Sequence, residues 1–335
     1  MKSPATKNIS LSLSALGIVG TLLLTGCSTQ SEEPKAPKEP AAEIEAPAEV
    51  HVSGPASPPS LPILRMIETD ALGETDIVFE RWESADQLTA AVTGGTEFVA
   101  APLTTGATLA QGGADLQLLN VSAWAVMGLV TNDDVIETID DLAGQTIYVA
   151  MRASAVDYTM QLVLAAHDLT DDVTIEYVDP LNGPEQFLAG QISTLVTVEP
   201  QVTMLLANSE GARSVVDFEA EWRELTDSAL PLPTAGTFVN GTFAGEHAET
   251  AKAFREAYAE AAEWVAEHPD EAGQLANEKL GMPAPIVAAS IPKISWEAQG
   301  AAEAKPAVEL YFTQLFETWP ESVGGAMPEA SFYLQ

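Results

Sequence analysis

The sequence predicts an α/β fold with two sheets, each mainly parallel and flanked by helices. From residue 50 onward, short β-branched runs alternate with helical patterns, as they do in strand–helix–strand units. The same alternation starts again after residues 124–130, so we expect a second sheet with its own helices. A chain of 335 residues is long enough for two lobes with separate cores.

The first sheet is predicted from four apolar runs that are separated by helical patterns. Pro59 suits a helix start because it lacks the backbone donor that would be unpaired there, and the Gly94-Gly95 pair is typical of a helix end. We expect strands at 50–52, 77–82, 98–101 and 116–121 and helices at 59–68, 84–94 and 106–111.

The second sheet follows a turn at residues 141–144. Ser154 is a plausible N-cap because its hydroxyl can accept a hydrogen bond from the first turn of a helix. We expect strands at 146–150, 173–178 and 194–198 and helices at 154–167, 184–189 and 200–208.

The C-terminal third is predicted to return to the first lobe and to be helical. Apolar residues from 251 to 265 and from 308 to 319 recur three or four apart, which indicates helix faces packed on a core. The expected organisation is a first lobe from 50–130, a second lobe from 131–233 and a return to the first lobe from 234–335.

The N-terminus has the pattern of a bacterial lipoprotein signal. Lys2 and Lys7 precede an uncharged run at 9–24, and the motif LTGC ends at Cys27, the only cysteine of the chain. We expect residues 1–26 to be removed and Cys27 to carry lipid, which would anchor the protein to a membrane. The alternative is an ordinary secretory signal with a chance cysteine. Residues 27–49 are rich in Pro, Glu, Lys and Ala, as a solvated tether is.

The charge balance limits the partners. The formal net charge is −35, and such a surface repels nucleic acid and anionic lipid headgroups. No lysine occurs between Glu39 and Lys252, and the cations in that interval are Arg65, Arg81, Arg152, Arg213 and Arg223.

Several segments together resemble a known family. The LTGC motif, WESADQLTAAVTGGTEFVAAPLTTGA at 82–107, IETIDDLAGQTIYVA at 136–150 and STLVTVEPQ at 193–201 are similar to the solute-binding lipoproteins of ABC importers. The resemblance is to the branch that includes nitrate-, alkanesulfonate-, taurine- and thiamine-precursor-binding proteins, and it spans residues 50–320.

The resemblance implies a type II periplasmic-binding-protein fold. In that fold two lobes are joined by two hinge crossings and close over a small polar organic or anionic molecule. It also implies an ABC permease and ATPase as partners and a location in the cell envelope, on the outer face of the cytoplasmic membrane or in the periplasm. We expect a monomer.

Candidate ligand contacts in the first lobe are the residues that follow its strands, because ligands of open α/β sheets bind beyond the carboxyl ends of strands. Trp82 and Trp124 can supply flat walls and an indole N–H, or they can simply be core residues. Thr104 and Thr105 can orient a polar group or cap a helix. The full set is Ser53, Gly54, Ser57, Trp82, Thr104, Thr105, Trp124 and, on the returning segment, Thr237, which can instead bond within the hinge.

In the second lobe, Arg152 and Ser154 stand between a strand and a helix. A guanidinium beside free helix N–H groups is suited to an anion, although Arg152 can also pair with a surface carboxylate. Glu199 would favour an amine-bearing ligand, or it caps the helix that starts at Pro200.

Enzymatic and metal-binding functions find little support. His51, His167, His247 and His268 are scattered, and nucleophile, Walker and Rossmann motifs are missing from the sequence. We therefore expect no catalytic residue, metal or cofactor. Two other functions stay open, a ligand-sensing or partner-presenting lipoprotein without transport and a cleft enzyme related to thiamine-precursor synthesis.

Overall fold

The computed structural model describes residues 46–335, and the structural statements below concern that part of the chain. The predicted signal at 1–26, the lipidation site Cys27 and the tether up to residue 45 lie outside the described residues.

The secondary structure alternates as the sequence predicts. In chain order the strands are β1 (Glu49–Gly54), β2 (Asp76–Arg81), β3 (Phe98–Pro102), β4 (Leu116–Trp124), β5 (Met127–Thr131), β6 (Thr146–Ala150), β7 (Thr174–Val178), β8 (Thr194–Val198), β9 (Arg213–Val216), β10 (Pro233–Asn240) and β11 (Gln299–Gly300). The α-helices are α1 (Ser60–Glu68), α2 (Ala85–Thr93), α3 (Leu103–Gln111), α4 (Ala155–Ala166), α5 (Asn182–Leu188), α6 (Gln201–Asn208), α7 (Phe218–Thr226), α8 (Gly241–Glu246), α9 (Ala248–Glu267), α10 (Pro269–Leu280), α11 (Ala284–Ser290) and α12 (Ala301–Thr318).

The strands form a six-stranded and a five-stranded sheet. The first has the order β11-β4-β10-β3-β1-β2, and the second has the order β7-β6-β8-β5-β9. Strands β1, β2 and β3 run parallel, as do β6, β7 and β8. The predicted α/β class is confirmed.

Both sheets are mixed, whereas the sequence predicts mainly parallel ones. The antiparallel pairs involve the strands next to the crossings, because β10 pairs antiparallel with β3 and β4 and β5 pairs antiparallel with β8 and β9. A strand that enters a sheet directly from the other lobe arrives without a crossover helix, so it is free to run against its neighbours.

The chain passes between the sheets at two places. It leaves the first sheet at the end of β4, turns at Ala125, whose φ is 47°, and enters the second sheet as β5. It returns after α7 as β10. The single apolar run at 124–130 is therefore divided by the turn between two strands of different sheets.

The core of the first sheet lies against α9. The rings of Phe98 and Phe254 stack with their centroids 3.9 Å apart, and Tyr258 continues the same helix face. The predicted apolar face of this helix is confirmed from Ala251 to Val265, both of which are buried.

Helix α12 packs on strands β4 and β10 of the first sheet and also reaches helices α4 and α7 of the second lobe. Tyr311 of α12 is fully buried, and its ring meets the Trp222 ring edge-on with the centroids 5.8 Å apart. The hydroxyl oxygens of Tyr311 and Thr159 are 3.4 Å apart. Burial raises the pKa of Tyr311 to about 12. Within residues 46–335, none of the helices has both the length and the apolar character of a membrane span.

Candidate functional site

A cavity of about 220 Å³ lies between the two sheets. Its wall is formed by residues at or just after the carboxyl ends of β1, β2 and β3 in one sheet and β6, β7 and β8 in the other. This edge, where strand ends and helix starts meet, is the usual place for a ligand in open α/β sheets. The crossings complete the wall with Ala123, Val126, Met127, Thr234 and Ala235.

A proline-rich segment after β1 forms one side of the cavity and includes Pro55, Ser57 and Pro59. The Ser60 hydroxyl donates a 2.6 Å hydrogen bond to the Pro55 carbonyl, and the Tyr258 hydroxyl donates one of 2.7 Å to the Pro59 carbonyl. Both bonds hold the segment through its backbone.

Ser53 and Gly54, predicted as loop residues, instead belong to β1. Ser53 is buried in the strand, which pairs with β2 and β3, and neither residue lines the cavity. A Cβ atom at Gly54 would lie 2.5 Å from the Ser60 hydroxyl oxygen, so glycine allows the strand and the following helix to approach each other.

Trp82 follows β2 and lines the cavity. Its indole N–H donates a 3.0 Å hydrogen bond to the Ala100 carbonyl, and its backbone N–H donates one of 3.1 Å to the Gly54 carbonyl. The side chain therefore presents an apolar wall, while the indole N–H proposed from the sequence as a ligand donor is already engaged.

Thr104 and Thr105 do not line the cavity. Helix α3 begins one residue after β3 ends, which places both threonines in its first turn, and Thr104 is buried. Ala101 and Pro102 provide the wall at the end of β3 instead.

Trp124 and Thr237 are also away from the wall. Trp124 is buried at the crossing, and its indole N–H donates a 2.7 Å hydrogen bond to the Glu297 carbonyl. It borders a separate hollow of about 510 Å³ that Arg223 and Lys293 also line. Thr237 is fully buried within β10. Its backbone N–H bonds inside the protein, which agrees with the hinge bond considered as the alternative to ligand contact.

Thr237 belongs to a buried polar cluster behind the proline-rich segment. Its backbone N–H donates a 3.0 Å hydrogen bond to the Asn120 side-chain oxygen. Burial raises the pKa of Tyr258 well above its usual range, and the neighbouring Ser122 and Thr237 hydroxyls have no hydrogen-bond partner among the described residues. Since the Tyr258 hydroxyl also reaches Pro59, the cluster connects to the cavity wall through that tyrosine.

The loop between β6 and α4 forms the facing wall through Met151 and Ser154. Met151 and Ala153 have left-handed backbone conformations, with φ values of 64° and 58°. Asp157 holds this loop, since its Oδ2 accepts the Ala153 N–H at 2.7 Å and its own N–H donates to the Ser154 hydroxyl at 3.2 Å. Ser154 is thus the predicted N-cap of α4 and also part of the wall.

Arg152 does not reach the cavity wall. Its guanidinium lies over the Tyr177 ring, 4.3 Å from the ring centroid, and the Tyr177 hydroxyl donates a 3.1 Å hydrogen bond to Asp157 Oδ1. Burial raises the pKa of Tyr177, and the nearby Asp157 carboxylate raises it further. The Arg152 guanidinium therefore packs on Tyr177, close to the protein's own Asp157 carboxylate, and does not line the cavity.

Glu199 lines the cavity at the end of β8. Its Oε2 accepts the Thr203 N–H at 3.0 Å in the first turn of α6, so the capping role considered from the sequence is present. The side chain is only 6% exposed. Among the described residues that line the cavity, Glu199 alone carries an ionisable side chain.

The NMT1/THI5-like family profile matches residues 74–272. The chain belongs to this family. No protein with a curated description matches the sequence.

Solved structures share the fold of this NMT1/THI5-like chain. An ABC transporter protein from Parabacteroides distasonis is 19% identical with a TM-score of 0.75, covering 86% of this chain and 99% of its own. The periplasmic aliphatic sulphonate binding protein from Escherichia coli is 16% identical with a TM-score of 0.67, covering 87% and 93%. The periplasmic nitrate-binding protein from Synechocystis PCC 6803 is 14% identical with a TM-score of 0.59, covering 82% and 84%.

These similarities confirm the family branch and the type II binding-protein fold that the sequence resemblance implies. At such low identities the solved structures establish the fold of the NMT1/THI5-like chain but not its ligand.

Several wall residues of this NMT1/THI5-like protein are not among those selected from the sequence. Pro180 follows β7, and the Thr197 hydroxyl donates a 3.0 Å hydrogen bond to Gln201 Oε1 at the end of β8. Thr197 lies within β8, but for Pro180 and Gln201 the place after a strand was the available signal. Val126 and Met127 gave none, because they lie in an apolar run that resembles a core strand.

None of the histidines within residues 46–335 lines the cavity. No group of three or more His, Cys, Asp or Glu side chains within residues 46–335 has the arrangement of a metal site. His167 instead lies between two carboxylates on the outside of the second lobe, 2.7 Å from Glu221 and 3.2 Å from Asp140.

Proposed function

We propose that this protein is a lipid-anchored solute-binding protein of the cell envelope that delivers a small molecule to an ABC importer. Residues 1–26 are the signal, Cys27 is the lipidated residue, and the residues from Cys27 to the start of β1 are the tether. Residues 50–130 and 234–335 form one ligand-binding lobe and residues 131–233 form the other. The protein works as a monomer that meets its permease and ATPase at the membrane.

The cavity of about 220 Å³ between the two sheets is the observation that carries this proposal. Wall residues come from both sheets and from both crossings, so a molecule held there touches both lobes at once. A ligand that binds both lobes favours the arrangement in which they are close, and this is how binding is coupled to a hinge motion. The solved structures that share the fold, described as ABC transporter and periplasmic binding proteins, support the same function.

The proposed ligand contacts are the predicted residues that lie on the wall, namely Ser57, Trp82, Ser154 and Glu199. Trp82 contributes apolar surface, and the two serines and Glu199 contribute polar atoms. The wall has no cysteine, histidine or lysine among its described residues, which is more typical of capture than of chemistry.

Thermal unfolding of the mature chain, residues 27–335, against a broad panel of small metabolites tests the proposal. We expect at least one compound to raise the melting temperature saturably and Trp82→Ala to weaken its binding. Trp264→Ala is the matched control, because Trp264 is also partly buried but stacks on Arg65 and His268 away from the cavity. A panel without any stabilising compound would contradict the proposal.

A further inference from the structure

The cavity has one charged group and a largely apolar wall. Prolines, valines, two methionines and Trp82 make up much of its surface, while Glu199 is the single ionisable group among its described lining residues. A ligand for such a site needs an apolar body and a group that matches a carboxylate.

Some of the amide groups at the two helix starts on the cavity wall are already engaged within the protein. At the start of α4 the Ala153 N–H donates to Asp157 Oδ2 at 2.7 Å, and the Asp157 N–H donates to the Ser154 hydroxyl at 3.2 Å. At the start of α6 the Thr203 N–H donates to Glu199 Oε2 at 3.0 Å. Both helix starts thus carry a carboxylate of the protein itself where an anionic ligand would otherwise be stabilised.

The nearby cations are not paired with Glu199 and do not line the cavity. The Arg152 guanidinium lies over Tyr177, and Lys293 donates a 2.9 Å hydrogen bond to the Thr203 hydroxyl. Neither cation forms an ion pair with Glu199, nor does any other described residue, and neither lines the cavity. A carboxylate or sulfonate placed in the cavity would therefore meet a like charge with no compensating cation on the wall.

Glu199 has one carboxylate oxygen left for a ligand. Its Oε2 holds the Thr203 N–H, whereas Oε1 accepts no hydrogen bond from any described residue, although the side chain is only 6% exposed. A carboxylate oxygen on the wall of a largely apolar cavity has no protein donor here, so a donor from the ligand would be favourable there.

We propose that the ligand is a protonated amine on a compact apolar body, with the ammonium group donating to Glu199 Oε1 and the body packed against Trp82 and the proline-rich segment. This inference rests on the proposed function and specifies its substrate class. A cavity of 150 Å³ holds benzene, so about 220 Å³ accommodates one ring with a short aminoalkyl chain. The net charge of −35 also favours the approach of cations over anions.

Titration calorimetry and thermal unfolding of the mature chain with matched probes test the substrate class. The amine probes are benzylamine and phenethylamine, and the oxyanion probes of similar shape are benzoate and benzenesulfonate. We expect the amines to bind and to raise the melting temperature, and the oxyanions to leave it unchanged.

Glu199→Gln keeps an oxygen that can accept the Thr203 N–H while it removes the charge. We expect it to weaken amine binding about tenfold or more. Asp141→Asn is the matched control, since Asp141 also accepts backbone N–H groups in the second lobe but is exposed and away from the cavity. It should leave amine affinity unchanged.

Binding of benzoate or benzenesulfonate in preference to both amines would overturn the substrate class and leave the solute-binding function standing. Binding of the amines with equal affinity to the Glu199→Gln variant, or no binding of either probe set, would also overturn it. The function itself would fail only if the broad metabolite panel, which includes neutral compounds, gave no stabilising ligand.

Discussion

The Tyr258 hydroxyl donates a 2.7 Å hydrogen bond to the carbonyl oxygen of Pro59, and through it α9 fixes a wall of the cavity. Tyr258 is fully buried, so this bond is shielded from water. The proline-rich segment has few backbone N–H groups of its own, which makes an external donor important for its position.

Tyr258→Phe should lower the free energy of unfolding by about 1 kcal/mol, because the Pro59 carbonyl loses its donor while the ring is retained. It should also weaken ligand binding several-fold, since the wall segment is less well held. Chemical unfolding and calorimetry with a stabilising compound measure the two effects.

Tyr333→Phe is the control for this substitution. Tyr333 is equally buried, but its hydroxyl has no hydrogen-bond partner among the described residues and it does not line the cavity. Its removal should leave stability unchanged or slightly raised and affinity unchanged. If the unmodified protein, Tyr258→Phe and Tyr333→Phe bound the stabilising compound with equal affinity, Tyr258 would not position the wall.

Asp157→Asn should destabilise the protein by about 1–3 kcal/mol and weaken ligand binding. The carboxylate accepts hydrogen bonds from the Ala153 N–H, the Gln161 side chain and the Tyr177 hydroxyl, and an amide cannot replace both oxygens as acceptors. The loop with the left-handed Met151 and Ala153 then loses part of its support. Unfolding and calorimetry measure the result.

Asp115→Asn serves as the comparison for Asp157. Asp115 accepts the backbone N–H and the hydroxyl of Thr242 at 2.8 Å and 2.6 Å, in the first lobe and away from the cavity. It should lower stability without changing affinity. An Asp157→Asn variant with the affinity of the unmodified protein would show that the loop does not need this carboxylate.

His167 should make stability depend on pH. The hydrogen bond with Glu221 raises its pKa most, burial opposes the shift, and Asp140 adds to it. A group with a raised pKa in the folded state stabilises the protein fully below its ordinary value of 6.5, and this contribution is lost as the pH rises through the raised pKa.

His167→Gln should therefore be less stable than the unmodified protein below pH 6.5, and the difference should shrink towards alkaline pH. Chemical unfolding at a series of pH values measures it. His268→Gln is the control, because His268 bonds to the Trp264 carbonyl and not to a carboxylate. A difference that grew with pH would contradict the assignment.

The position of a residue after a strand could be predicted from the sequence, but the direction of its side chain could not. Ser57, Trp82, Ser154 and Glu199 lie on the cavity wall. Arg152 has the same kind of position, yet its guanidinium lies over Tyr177, which is distant in sequence until the fold brings the two together, while the neighbouring Asp157 holds the loop. Such long-range contacts have no local signal.

The boundaries of strands and helices also could not be predicted fully from the local sequence. β1 extends through Ser53 and Gly54 because β2 and β3 offer paired partners on both sides. The turn at Ala125 divides an apolar run that has the local pattern of one strand. β9 and α7 were not predicted, since β9 has only four residues and α7 is rich in charge.

Cys27→Ser should release the protein from the membrane fraction, because a lipid anchor needs the thiol. Cell fractionation followed by mass spectrometry of the N-terminal peptide measures both location and modification. Cys27 is the only cysteine, so no second cysteine can serve as a control. Ser28→Ala, a substitution at the next residue that keeps the Cys27 thiol, is the control instead. Retention of the Cys27→Ser protein on the membrane would contradict the anchor.

The most direct test of a small molecule held between the two sheets is to fill the cavity from one wall. Ala155 lines the cavity at the start of α4, and Ala165 lies exposed near the end of the same helix. Titration calorimetry of a stabilising compound should show one-to-one binding to the unmodified protein and to Ala165→Trp, and none to a folded Ala155→Trp. Undiminished binding to Ala155→Trp would contradict the account.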